Sequence, residues 1–93
     1  MEKPKKMAAA LRYDPEQDAA PKVIASGCGS LAERILAKAR ELNIPVYSEP
    51  ELARTLVGLE IGGEIPFELY EAVAAVLVYV QKLDEKAEKR KNN

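Results

Sequence analysis

The spacing of apolar positions changes along the chain, and each change predicts an element. Met7–Tyr13 (MAAALRY) is the first apolar run; it is short and closed by the turn-forming pair Asp14-Pro15, so it reads as a strand near 8–13. Pro15–Pro21 is polar and proline-bounded, hence a loop. Val23–Ala25, between Pro21 and Gly27, is a β-branched run suited to a buried strand. Gly27-Cys28-Gly29 interrupts it and Ser30 opens a helix over 30–42. Ser30 and Glu33 have capping-box spacing, and Leu31, Ile35, Ala39 and Leu42 fall on one face. Glu33, Lys38, Arg40 and Glu41 then face solvent, and Asn43 and Pro45 stop the helix. Ile44–Tyr47 follows as a second short strand. Strand, helix and strand over 22–48 predict a βαβ unit with parallel strands and a right-handed crossover.

Ser48 is placed to cap a helix over 49–57, with Glu49 and Glu51 near its positive end and Gly58 at its close. Glu60-Ile61-Gly62-Gly63-Glu64 is too glycine-rich for regular structure. Pro66 suits the first turn of a third helix over 66–85. Its stripe, Leu69, Ala72, Val73, Val76, Leu77, Val80 and Leu83, should cover one face of the sheet. The expected fold is α/β: a small sheet of about three strands packed with about three helices. Residues 7–83 form the domain, preceded by a flexible basic arm (1–6) and followed by a charged tail (84–93).

Composition narrows the function. The 93 residues allow one small domain, and 47% hydrophobic with 31% charged residues is the balance of a folded chain. Fourteen Lys+Arg against 15 Asp+Glu give a net charge of −1, which argues against a phosphate-binding surface. There is no histidine and one cysteine, so His-based triads, the usual zinc sites and an internal disulfide are excluded. No cofactor is implied. No apolar run reaches the ~20 residues that span a bilayer, and the lysines at the start precede no signal-peptide core. A cytoplasmic chain, intact as written, is expected.

Each candidate for chemistry has a plainer use. Cys28 precedes a helix N-terminus, which favours a thiolate, but no base accompanies it; a small residue in a tight turn explains it. The Gly27–Ser30 turn resembles an anion cradle yet lacks the spacing of a phosphate loop. Glu49, Glu51, Glu60, Glu64, Glu68 and Glu71 carry no sign of the burial that acid–base catalysis needs. The lysines at both ends read as solubilising. An enzyme is not expected; a small soluble nucleic-acid-binding or regulatory α/β protein remains the alternative to a protein-interaction module.

Six stretches in order carry a resemblance: Leu11-Arg12-Tyr13-Asp14-Pro15, Ala20-Pro21-Lys22-Val23-Ile24-Ala25-Ser26-Gly27, Asn43-Ile44-Pro45-Val46, Pro50-Glu51-Leu52-Ala53-Arg54-Thr55-Leu56, Glu60-Ile61-Gly62, and Ile65-Pro66-Phe67-Glu68-Leu69-Tyr70-Glu71-Ala72-Val73-Ala74. From Pro4 to Leu83 the chain resembles the C-terminal cytoplasmic domain of the FlhB/YscU family, the export-gate switch proteins of flagellar and type III secretion systems. The resemblance implies a module that binds export-gate subunits or export substrates at the inner-membrane gate and helps recognise or order substrates.

Family members carry four transmembrane helices ahead of this domain and cleave themselves between Asn and Pro of an Asn-Pro-Thr-His loop. The matching stretch here is Lys3-Pro4-Lys5-Lys6. Lys3 stands where the attacking asparagine amide would be, so self-cleavage is expected to be absent. The chain is expected to act as a detached, soluble form of the released fragment. The family's strand before the loop has no counterpart, so one margin of Met7–Tyr13 is expected to accept a strand from another copy, a gate subunit or a substrate. The partner-binding residues implied are Lys3, Pro4, Lys5 and Lys6, then Pro50, Arg54, Glu60 and Glu64. Arg54 has two readings: it grips a partner carboxylate, or it ties down the Glu60 loop.

Overall fold

The structure, a computed structural model, describes residues 5–91, from Lys82 onward as backbone only. Elements follow in the order β1 (Met7–Arg12), β2 (Lys22–Cys28), α1 (Ser30–Glu41), α2 (Pro50–Val57), a single 3-10 turn (Phe67–Leu69) and α3 (Tyr70–Lys91). The α/β character and the three helices are as expected. The sheet differs. It has two strands among the described residues, and they pair antiparallel.

The expected third strand, Ile44–Tyr47, and with it the parallel βαβ unit near 22–48, are corrected by this topology. Residues 44–49 adopt no regular secondary structure. At Val23 both margins of β2 are engaged by other segments. β1 takes one. The Glu60–Ile65 segment takes the other: the Gly62 N–H donates to the Val23 carbonyl at 2.7 Å, the Val23 N–H to Gly63 at 3.3 Å and the Ile65 N–H to Pro21 at 2.9 Å. Lys22 and Glu64 form an antiparallel bridge there. Gly62 makes this return possible with φ +89°, a conformation costly for any residue with a Cβ.

Register in the sheet runs from Met7 opposite Cys28 to Ala10 opposite Ala25. It then slips at a bulge, so that Leu11 faces Val23 and Arg12 faces Lys22. Ile24 is left without a cross-strand partner and half exposed, while Val23 is fully buried. α1 and α2 lie against both strands. Val23, Leu52, Leu56, Ile65 and Val73 form the core, with Ala9, Leu11, Leu59, Leu69, Val76 and Leu77 packed around it. α3 therefore joins the core through Val73, beside α2, instead of spreading its stripe over the sheet. Ala72 of that stripe is exposed, and the Leu83 side chain lies outside the described residues.

Three expectations at helix ends are refined. Gly29, at φ +60°, takes the N-cap of α1, which puts Ser30 inside the helix, and the Ser30–Glu33 capping box does not form. The buried face of α1 correspondingly centres on Ala32, with Leu31 half exposed over Gly27. Glu49, not Ser48, is the N-cap of α2, and Pro50 follows at its first position. The end of α1 behaves as its sequence implies. Asn43 turns left-handed at φ +58°, and the Ile44 and Asn43 N–H groups donate to Ala39 and Arg40 at 2.8 and 3.2 Å, a Schellman closure.

Candidate functional site

Partner-binding candidates from the sequence do not gather into one cluster. Lys3 and Pro4 lie outside the described residues. Lys5 and Lys6 are exposed at the start of β1, where the Lys6 carbonyl accepts the Gly29 N–H at 2.8 Å. Glu64, at the bridge to Lys22, sits at the other end of the sheet, about 20 Å away by strand rise. Pro50 and Arg54 are exposed on α2. Arg54 makes no ion pair or side-chain hydrogen bond among the described residues, and backbone bonds hold the Glu60 loop. The exposed guanidinium is thus not a strut for that loop.

In the Gly27–Ser30 turn the Gly29 N–H is spent on the Lys6 carbonyl. Cys28 is exposed opposite Met7, and no group of metal-ligating side chains occurs among the described residues.

A feature of β1 comes from hydrogen-bond parity. In an antiparallel pair, alternate residues bond inward and the ones between point outward. The Gly29-to-Lys6 bond fixes the phase, so Ala8 and Ala10 bond to β2 while Met7, Ala9 and Leu11 direct N–H and C=O away from it. No backbone partner meets these outward groups among the described residues.

The loop from β1 to β2 is braced by Asp18, whose side chain is buried. Its Oδ2 accepts the Asp14 N–H at 3.0 Å; its Oδ1 accepts from Arg12 Nη2 at 3.1 Å and lies 3.7 Å from Lys22 Nζ. The bond from Asp14 lowers the Asp18 pKa most, burial opposes it, and the two cations add to the lowering. Asp14 in turn accepts the Gln17 and Asp18 N–H groups on its carbonyl and that of Glu16 on Oδ1. This network was not legible in advance, since Asp18 sits in a stretch that reads simply as polar.

A groove of about 320 Å³ opens between the 44–49 segment, α2 and α3, lined by Tyr47, Glu49, Glu51, Leu52, Thr55, Leu69, Ala72 and Ala75. Tyr47 packs edge-on against Tyr79 at 5.0 Å between ring centroids, and Phe67 against Tyr70 at 5.5 Å. The sequence signalled only part of this: Glu49 and Glu51 are explained there by the helix dipole, and Ala72 by the core.

Comparison with known proteins places these features. The family model described as "FlhB HrpN YscU SpaS Family" matches residues 2–80. The flagellar biosynthetic protein FlhB of Aquifex aeolicus is 46% identical over 78 residues, covering 83% of this chain and 22% of that protein. The chain thus spans about a fifth of the FlhB relatives it matches. Protein YlqH of Bacillus subtilis, described as uncharacterised, is 36% identical over 88 residues, 95% of each chain. The crystal structure of the cytoplasmic domain of FlhB from Shewanella putrefaciens superposes with a TM-score of 0.76 at 44% identity, covering 80% of this chain and 62% of that one. The PscU C-terminal domain does so with 0.75 at 32% identity, covering 78% and 94%.

Proposed function

The chain belongs to the FlhB HrpN YscU SpaS family of flagellar and type III export proteins, and we propose that it is a non-enzymatic interaction module of that export apparatus. It stands in for the C-terminal fragment of the export-gate switch protein in recognising or ordering substrates. It works in the cytoplasm, at the inner-membrane gate. No helix among the described residues is long and apolar enough to cross a membrane, which fits attachment through a protein partner.

One observation carries the interaction reading: the outward N–H and C=O groups of Met7, Ala9 and Leu11 on β1. An unpaired strand margin is a template for another strand, and backbone bonds supply the affinity in such additions. The strand comes from an export-gate subunit in this reading. Lys5 and Lys6 flank the margin, and Lys3 and Pro4 precede them in sequence. An ammonium at Lys3 has no route to the backbone attack that an asparagine amide makes, so the chain does not cut itself. An intact-mass spectrum after prolonged incubation should show one uncut species.

Complementation tests the function. The chain is expressed in cells whose export-gate protein is truncated after its self-cleavage asparagine, and secretion of flagellar proteins is measured. Restored secretion supports the proposal; unchanged secretion with the chain present at normal levels overturns it. Hydrogen exchange tests the mechanism. Slower exchange at Met7, Ala9 and Leu11 on adding the truncated gate protein is expected, and unchanged exchange there sinks strand addition.

A further inference from the structure

We propose that the groove between α2 and α3 is a second docking surface, taking a basic amphipathic helix of a partner protein. It rests on different residues from the β1 margin and does not depend on the export reading.

The groove is apolar at its floor, and the charged side chains at its rim among the described residues are both acidic. Leu69, Ala72, Ala75 and Tyr79 recur at i, i+3, i+6 and i+10, one stripe down the 3-10 turn and α3. Leu52 of α2 and Tyr47 face the same space. Ala72 and Ala75 are exposed and small, so a partner side chain can approach the α3 backbone closely. Among the described residues, the only charged ones lining it are Glu49 and Glu51. Neither makes an ion pair or serves as a side-chain cap among the described residues. Their carboxylates are thus available to a ligand, and they would repel an acidic one.

Two exposed aromatic residues belong to this groove, Tyr47 in its lining and Tyr79 packed against it. Tyr47 and Tyr79 are each about two-fifths exposed and in contact with one another, a paired apolar surface at the groove's edge. Rings with an apolar body and one polar edge are the common anchors of interfaces. A volume of about 320 Å³ admits two or three side chains, matching aliphatic residues one helical turn apart. Lys or Arg flanking those residues would reach Glu49 and Glu51. Charge complementarity at Glu49 and Glu51 therefore selects a cationic helix over an acidic one.

The test titrates the purified full chain with two synthetic 16-residue helical peptides sharing one leucine stripe, one flanked by lysines and one by glutamates. Binding is followed by calorimetry and by methyl NMR of Leu52, Leu69, Ala72 and Ala75. The lysine peptide should bind and shift those methyls, and the glutamate peptide should bind at least tenfold more weakly. The double variant Glu49→Lys/Glu51→Lys should reverse that preference, and Ala75→Arg should abolish binding while the chain's circular dichroism stays unchanged. Equal binding of both peptides, or shifts confined to β1, overturns the proposal. So does a concentration-dependent dimer that buries the same methyls and excludes the peptide.

Discussion

The two margins of one small sheet have opposite fates. At Pro21–Val23 the outer side of β2 is sealed by the chain itself, through backbone bonds from Gly62 and Ile65 and to Gly63. The outer side of β1 presents Met7, Ala9 and Leu11 with no such cover among the described residues. The sealed margin adjoins Val23, Ile65 and Val73, where the core is densest. The open one runs from Met7 to Leu11 between Lys6 and Arg12, and its Ala9 and Leu11 are partly buried at the border of that core. The closed edge lies beside fully buried side chains, and the open one beside partly buried ones.

That contrast can be broken most forcefully from the sealed side. Val23→Ala should lower unfolding free energy by about 2–3 kcal/mol, since Val23 is fully buried at the centre of the core. Chemical denaturation measures it, and a loss below about 0.5 kcal/mol would contradict the packing described. Gly62→Val should cost about 1–3 kcal/mol by forcing a β-branched residue to φ +89°. The exchange protection of the Val23 amide should fall with it; if Gly62→Val leaves that amide protected, the seal does not depend on this turn.

A proline pair sharpens the comparison on the open side. Ala10→Pro removes an N–H bonded to β2 and should destabilise by about 1–3 kcal/mol. Ala9→Pro removes one that points outward and should cost less than about 1 kcal/mol while blocking strand addition. Equal losses at the two sites would mean that the phase assigned to β1 is wrong.

Acid brings a smaller, graded effect. The folded state holds the Asp18 pKa below the ordinary 3.8, so its stabilisation is fully present above that value and is lost as pH falls through the lowered one. Asp18→Asn should therefore reduce stability at pH 7 and flatten its decline below pH 3.8; an unchanged acid limb of the melting temperature would remove Asp18 from the account. The least effect is expected at the exposed Lys38–Glu41 pair, 3.8 Å apart, where Lys38→Ala should change stability by less than about 0.5 kcal/mol.

How far each element could be anticipated follows from the range of the interactions that make it. Local ones spoke clearly: the apolar run of β1, the length of α1, the stop at Asn43 and the proline at the head of α2 involve neighbours in sequence. The capping box failed for a reason just as local: Gly29 takes the N-cap at φ +60°, a conformation costly for serine, and Ser30 falls one position inside the helix. Ile44–Tyr47 has the composition of a strand, but at Pro21–Val23 the segment that pairs with β2 comes from some twenty residues further on.

Family membership was legible too, because it rests on residue order from Leu11 to Ala74. Sequence by itself thus determined the helices, the turn chemistry and the kinship with export-gate domains, all of which follow from identities at short separation. Tertiary structure alone decided that the strands run antiparallel, that Glu60–Ile65 closes one side of the sheet, and that Glu49 and Ala72 meet across a groove. Those outcomes depend on which distant surfaces compete for the same hydrogen bonds and the same buried volume, and a linear pattern does not encode the winner.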